Sequence, residues 1–519
     1  MKKKYKFSKY DYILAAVLII GCAVRILCIG QFPAGLNQDE ASNGYEAFAV
    51  MNYGIDRNGV KNPMHLIAWG SGQNMAYSWL AMPFLKIMGN SALALRLPMA
   101  IMGCISVWVF YLLIKELCSK DQAAWATAYF AVFPWHIIKS RWALDCNIFP
   151  ELVLWGCLCL LYYVNRQKPV YLYLAVIILA FSLYSYGTAY MFMPFFVGGV
   201  WIYMAVKKKI TAKHFALSAM VFFVLALPVM LFVIINITDL PQLKILGFTI
   251  PEMYQQRFST VTGTGESFLP GCFNNLKDLW RILVNQGDGL PWNSMAKYGI
   301  CYKLLIPLIP LGILISLCEK WKYSFVMHWW FICALMVVAV TDVNVNRVNI
   351  VFIPLGYYIA VAISFVAKQH KAAAGICLGI CLCLFALFGR TYFTDYNKTI
   401  GYYFYYSYED ALQYAENFDA ERIYTGPNIN QLYTLTLFYN GTDPHTYINT
   451  VEKANPYAAF ETVTNFDRYY FYLPEVIDSS ENSVYIVPNS YSHLFSTDIF
   501  SIAQFEHYSV AVPNKLYFK

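Results

Sequence analysis

The chain has 519 residues, 58% of them hydrophobic, 18% aromatic and only 13% charged. Several apolar runs reach the roughly 20 residues that cross a bilayer, which excludes an ordinary soluble domain and predicts a polytopic α-helical membrane protein. The formal net charge of +7 does not point to nucleic acid, because the basic residues sit in short clusters between apolar runs, where orientation signals lie.

The basic N-terminus (Lys2, Lys3, Lys4, Lys6, Lys9) leads into an apolar run from Tyr12 to Ile29. The run is long and no small-residue cleavage site follows, so it reads as an uncleaved first span. About eleven spans are expected, at roughly 11–31, 92–114, 122–138, 147–164, 170–186, 189–206, 214–236, 299–318, 323–341, 348–367 and 372–390. With the N-terminus in the cytoplasm, Lys115, Lys120, Arg166, Lys168, Lys207, Lys208, Lys209, Lys213, Lys320, Lys322, Lys368 and Lys371 share its side. The short outer hairpins then hold only Lys139, Arg141 and Arg347. That asymmetry obeys the positive-inside rule, and the expected location is the cell membrane.

Three outer segments are long: about 32–91, about 237–298 (with Gly263, Gly265, Trp280 and Trp292) and everything after about 391. The expected partition is a membrane domain over 1–390 and an extracytoplasmic domain over 391–519. In the latter, polar helical stretches near 407–417 and 429–438 alternate with β-rich runs near 421–425, 484–487 and 508–512. Breaks at Asn440-Gly441 and Asp443-Pro444 separate some of them, and the pattern predicts a small α/β domain. Most of the 14 cysteines lie in apolar runs, where they act as small apolar residues. Cys146 and Cys272 fall in outer segments and are the one candidate disulfide.

Ionisable residues within spans usually mark ion pathways. Arg25 and Glu151 read as lying toward helix ends, where long side chains reach the interface, so the span centres look nearly uncharged. That disfavours a coupled transporter and moves attention to four outer clusters. These are Asn37-Gln38-Asp39-Glu40 with Tyr45 and Asp56-Arg57; Trp69-Gly70-Ser71-Gly72-Gln73-Asn74; Trp135-His136 with Lys139 to Asn147; and Asp342 to Asn349. Cations hold phosphate, Arg with a planar fork of donors. A carboxylate takes a proton from an attacking hydroxyl, and aromatics such as Tyr45 and Trp69 stack on sugar rings. Each cluster also has a plainer reading. Asp39 and Glu40 suit the first turn of a helix. Arg141 and Asp145 have the spacing of an exposed ion pair, Arg347 suits an interfacial anchor, and His136 beside Trp135 suits the membrane interface. The sequons at Asn397 and Asn440 recur by chance.

The order of these parts resembles a family. An Asp39-Glu40 pair heads the first outer loop, and Ala94-Leu95-Arg96-Leu97-Pro98 enters the second span. Ser140-Arg141 with Asp145 follows, then Asn346-Arg347 with Pro354. Over roughly 10–390 the chain resembles the lipid-carrier-dependent glycosyltransferases of the GT-C fold, in the branch of protein O-mannosyltransferases and bacterial aminoarabinose transferases. The resemblance implies Asp39 as catalytic base with Glu40 beside it, Asp145 as a second acid, and Arg141, Arg347 and Lys139 as donor-phosphate contacts. Tyr45, Trp69 and Asn346 are candidate substrate contacts. Many relatives carry Lys-Pro-Pro where this chain has Gly72-Gln73-Asn74-Met75, so Gln73 and Asn74 stand in place of the family's phosphate-binding lysine. Some relatives bind a divalent metal through the acids, which leaves metal dependence open.

The expected activity is transfer of a sugar from a polyprenyl-phosphate donor, undecaprenyl phosphate in a bacterium, to a hydroxyl on a glycan, protein or lipid, with inversion. The expected partners are that donor, the acceptor and membrane lipid. Two other classes remain: a lipid-linked-sugar flippase or transporter, and a non-catalytic cell-surface binding protein.

Overall fold

The structure, a computed structural model, describes residues 9–255, 267–295, 297–318, 324–427 and 431–517. Lys2, Lys3, Lys4, Lys6, Gly263, Gly265, Lys320 and Lys322 lie outside the described residues. In chain order the helices are α1 (Lys9–Ile26), α2 (Gln38–Tyr53), α3 (Ala76–Met88), α4 (Ala92–Leu117), α5 (Lys120–Ala131), α6 (Pro134–Ser140), α7 (Asp145–Arg166), α8 (Pro169–Phe181), α9 (Thr188–Val206), α10 (Ala212–Ile237), α11 (Phe268–Asn285), α12 (Leu308–Cys318), α13 (Phe325–Val340), α14 (Phe352–Gln369), α15 (Lys371–Thr391), α16 (Asn397–Tyr403), α17 (Tyr408–Ala415), α18 (Tyr433–Asn440), α19 (Pro444–Thr450) and α20 (Asn514–Tyr517). Among the described residues, six helical runs are long and apolar enough to cross a membrane, including α4, α7, α9 and α10. Shorter apolar helices run over Pro169–Tyr184, Lys303–Cys318 and Phe325–Val340. The chain is a polytopic helical membrane protein.

Prolines explain two departures from the expected spans. The run at 122–138 is not one helix: α5 stops at Ala131 and α6 restarts with Pro134 in its first turn. Proline is tolerated there because the first N–H groups have no partner within the helix. The run at 299–318 becomes α-helical only at Leu308, directly after Pro307. At the other end, α15 does not stop at 390. It passes through a π-helical turn at Tyr392–Tyr396 into α16, giving a helical run from Lys371 to Tyr403.

Contacts divide the chain into two compact units. The first comprises Met1–Ile29, Arg96–Met230 and Phe258–Tyr396. In it α7 packs on α8, α12 and α5 pack on α14, α13 packs on α9 and α1 packs on α5. Gly312 on α12 faces the backbone of Tyr358 on α14 so closely that a Cβ would fall 1.9 Å from its carbonyl oxygen. Only a small residue lets membrane helices approach like this. Cys146 and Cys272 are both free thiols, so the one candidate disulfide is not formed. Cys146 is instead buried in the first turn of α7, its carbonyl accepting from Asn349 Nδ2 at 2.7 Å.

The second unit comprises Gly30–Leu95, Leu231–Arg257 and Asn397–Lys519. It holds β1 (His65–Leu66), β2 (Gln73–Asn74), β3 (Leu243–Ile245), β4 (Phe248–Ile250), β5 (Arg422–Thr425), β6 (Glu452–Lys453), β7 (Val463–Phe466), β8 (Tyr469–Tyr470), β9 (Ser483–Pro488), β10 (Phe500–Gln504) and β11 (Tyr508–Pro513). The last seven form one mixed sheet in the order β10-β11-β9-β5-β8-β7-β6, with β5 parallel to both β8 and β9. Tyr424, Tyr485, Val487, Phe495 and Phe500 make a core against it. The C-terminal residues pack directly on the first loop: α18 lies on α2, with the Phe438 ring against Gly44. Ala34 N–H donates to Asn397 Oδ1 at 2.7 Å. Gly35, at φ +74°, meets the backbone of Phe404 where no Cβ would fit.

Candidate active site

The second unit contains the acidic pair, and the two acids are placed differently. Asn37 caps α2, its Oδ1 accepting from Asp39 N–H at 2.9 Å, while Glu40 Oε2 accepts from Asn37 N–H at 3.1 Å. This reciprocal capping box satisfies two N–H groups at the head of the helix. Glu40 is buried within it, whereas Asp39 is half-buried in the same first turn, where the helix dipole stabilises its carboxylate. Tyr405 donates its hydroxyl to Gln38 Oε1 at 3.1 Å. Burial and the Asp39 charge push the Tyr405 phenol up to about 12. No feature of the sequence points to Tyr405, which lies in an undifferentiated aromatic run of the C-terminal segment.

The other residues expected to act in the first loop are bound up inside it. Arg57 Nε lies 2.9 Å from Glu46 Oε1, with both side chains buried. Arg57 Nη2 donates to Ser42 Oγ at 2.7 Å, and Ser42 Oγ donates to Gln73 Oε1 at 2.9 Å. The guanidinium sits 4.6 Å from the centre of the Trp69 ring and 5.7 Å from that of Tyr433. Asp56 is buried beside this pair, and burial, with the Glu46 charge next, pushes its carboxyl up to about 8. Gln73 and Asn74 form β2, paired with Leu66 and His65, and both are buried. Tyr45 is fully buried and donates to Thr442 O at 3.0 Å. Trp69 is 5% exposed and accepts through its carbonyl from Glu461 N–H. Tyr45 and Trp69 thus bond to the C-terminal segment, whereas Gln73 and Asn74 are paired within the first loop itself.

The first unit brings the third and fourth sequence clusters together. Lys139, buried on α6, donates Nζ to Asn346 Oδ1 at 2.6 Å, 207 residues away, and lies 4.4 Å over the Trp142 ring. Asn147 Nδ2 donates to Trp142 O at 3.0 Å. Asp288 accepts from Val345 N–H at 2.9 Å and from Asn293 Nδ2 at 2.7 Å, fixing the loop that carries Asn346 and Arg347. Arg347 pairs with Asp342 at 3.2 Å and is part-exposed. Asp145 is half-buried as the first residue of α7, while Arg141 follows the end of α6, so the two do not share a helix face. A cavity of about 630 Å³ opens beside the Asp288 loop, lined by Asp278, Arg281, Asn285, Asp288, Val343 and Tyr396 among others.

Several expectations about charged residues change. Arg25, Glu151 and His136 do not reach toward an interface; all three are buried, at 1% exposure or less. Arg25 Nη2 is 2.7 Å from His136 Nδ1, and His136 Nε2 is 3.1 Å from Glu151 Oε1. Arg25 also donates to Gly21 O and Ala131 O. A buried charge persists when partners on several helices satisfy it, and here α1, α5, α6 and α7 supply them. Arg141 is likewise fully buried, donating to Val24 O at 2.8 Å with its guanidinium over Tyr392 and Phe393. Arg96 reaches Ile29 O. Arginines thus gather on carbonyls near the C-terminal end of α1, where the helix dipole favours cations.

Among the described residues no group of three or more His, Cys, Asp or Glu side chains is placed to hold a metal ion. Glu40, which a divalent ion at Asp39 would share, is committed to the helix cap.

Residues 73–232 match the family model described as dolichyl-phosphate-mannose-protein mannosyltransferase. The match includes Lys139, Arg141 and Asp145 and begins after Asp39. The whole architecture is similar to the crystal structure of ArnT from Cupriavidus metallidurans bound to undecaprenyl phosphate. That likeness has a TM-score of 0.57 at 12% identity and covers 97% of each chain. The chain shares the fold of that structure. It is also similar to the Archaeoglobus fulgidus oligosaccharyltransferase in complex with Zn and sulfate, with a TM-score of 0.52 at 14% identity, over 82% of this chain and 61% of that one. No curated protein sequence matches the chain.

Proposed function

We propose that this protein is a membrane glycosyltransferase that moves a sugar from a polyprenyl-phosphate donor to an acceptor hydroxyl. The observation that carries the reading is a GT-C fold over the whole chain with a half-buried carboxylate, Asp39, at the head of the first loop. Asp39 is the candidate base because its neighbour Glu40 is occupied in the cap. It takes the proton as the acceptor oxygen attacks the anomeric carbon. The bond from that carbon to the phosphate oxygen breaks, polyprenyl phosphate leaves, and the configuration inverts.

Lys139, Asn346 and Arg347 are the candidate phosphate contacts. The buried Lys139 ammonium is held by one neutral oxygen and an aromatic face, with the Asp288 carboxylate as a nearby charge, and a buried cation gains from a further anion. Cations fixed at the leaving phosphate stabilise its growing charge. The cavity lined by Asp278, Asn285 and Asp288 offers acceptors suited to sugar hydroxyls, and Asp145 is a second acid for the same chemistry. Eleven crossings with the N-terminus in the cytoplasm and the C-terminal segment outside fit the distribution of Lys and Arg. The buried Arg25–His136–Glu151 chain does not revive a transporter, because its members bond to one another and to backbone rather than lining a path.

The test is purified protein in nanodiscs with a panel of polyprenyl-phosphate sugars and candidate acceptors, following release of free polyprenyl phosphate. Release with a subset of donors is the expected result. Folded protein that releases none from any donor–acceptor pair contradicts the reading.

A further inference from the structure

We infer that the β3–β4 hairpin dips into the bilayer at the end of α10 and binds the headgroup–acyl boundary of that leaflet. The inference rests on α10 being a span and stands independently of the transferase reading. α10 is long, apolar and only 28% buried, so most of its surface is left for lipid. In its last turn and the segment that follows directly in the chain, Ile234, Ile237, Leu240, Leu243, Ile245, Leu246 and Phe248 are all exposed, with Asp239, Gln242 and Lys244 between them. Continuity with a membrane-spanning surface names the occupant, since an apolar patch rimmed by polar groups needs cover.

The turn gives a second, separate argument. Ile245 pairs with Phe248 across a two-residue turn, Leu246-Gly247, with both central residues at positive φ (+49° and +83°). Such a turn takes Asn, Asp or Gly in water, and a positive φ is unfavourable for leucine. Leu246 is nevertheless there, 93% exposed at the tip. The hairpin is two-faced: Leu243, Ile245 and Phe248 share one side with Ile250, and Lys244 and Thr249 the other. It is also held firmly. Thr249 N–H donates to Asn62 O at 3.1 Å, Met64 N–H to Thr249 O at 2.9 Å and Asn62 Nδ2 to Gly247 O at 3.1 Å. Asn236 Nδ2 on α10 donates to Pro251 O at 3.2 Å and its Oδ1 accepts from Met253 N–H. A membrane-inserted tip would thereby fix residues 62–64 of the first loop at the bilayer surface.

The experiment places the photocrosslinker p-benzoylphenylalanine at Leu246 in the full chain. A second variant carries it at Val476, an exposed position of the C-terminal segment. Both are reconstituted in phosphatidylethanolamine/phosphatidylglycerol nanodiscs, irradiated and analysed by intact mass. Neither position is buried, and an unchanged melting temperature checks the fold. The expected result is a phospholipid adduct at Leu246 several-fold above that at Val476. Adduct at or below the Val476 level overturns the inference, as does crosslinking of Leu246 mainly to a second copy of the chain.

Discussion

Arg57→Met tests whether the first loop and the C-terminal segment are held as one unit. Arg57 is buried with Nε 2.9 Å from Glu46 Oε1, one hydrogen bond to Ser42, and the faces of Trp69 and Tyr433 around its guanidinium. Methionine keeps most of the stem and removes the charge. Breaking a buried pair from one side costs about 3–5 kcal/mol, because the remaining carboxylate is stranded. For a unit of this size about 1 kcal/mol moves the melting point about 2–4 °C, so the expected fall is roughly 6–20 °C. Trp69 lies beside the lesion, and thermal unfolding of the detergent-purified chain followed by tryptophan fluorescence reads it. The double variant Glu46→Gln/Arg57→Met removes the stranded charge and should recover a large part of the loss. A single variant within about 1 kcal/mol of wild type, or a double variant no more stable than the single, refutes the reasoning.

Three further outcomes follow from the same geometry. The Asp56 carboxyl is held at about 8 when folded and near 3.9 when unfolded. Its stabilising effect is whole below about pH 4 and falls by about 1.4 kcal/mol per pH unit up to about pH 8, since the unfolded chain releases the proton first. Asp56→Asn should flatten the decline in melting temperature between pH 5 and pH 8; an unchanged slope counts against a protonated Asp56. Lys139→Met should lower kcat/KM for the lipid donor by roughly 10–100-fold, the worth of a charged hydrogen bond. Arg347→Gln should cost less, because Arg347 is part-exposed and already paired with Asp342; the reverse order in steady-state assays would reassign the phosphate contact. Tyr45→Phe should cost about 1 kcal/mol of stability through the lost bond to Thr442 and leave the donor KM unchanged; a raised KM would return Tyr45 to the substrate.

Local signals carried much of the architecture. Apolar length located the helices, and the C-terminal segment announced α17, β5, β9 and β11 through its periodicity. Gly441 ends α18 in the left-handed conformation and Asp443 caps α19 ahead of Pro444, as those turn residues suggested. What stayed hidden depends on partners distant in sequence. Arg25 near the end of α1 looks like a residue reaching for water until His136, 111 residues on, and Glu151 close around it. Lys139 gains its role only by meeting Asn346. Gln73 and Tyr45 look available in sequence, but the C-terminal segment buries the loop that carries them. Nothing in composition or spacing shows that residues after 397 fold against residues 30–95.

The most direct test of the account compares Asp39→Asn with Glu40→Gln in the donor-release assay. The glutamine of Glu40→Gln retains an oxygen for the Asn37 N–H and preserves the cap, whereas Asp39→Asn keeps the shape of the side chain and loses the base. Asp39→Asn should abolish release of polyprenyl phosphate while lowering the melting temperature by no more than a few degrees, the worth of the lost charge at the helix N-terminus, and Glu40→Gln should retain most of the activity. Retained turnover in Asp39→Asn, or its loss only in Glu40→Gln, would contradict the assignment of Asp39 as the base.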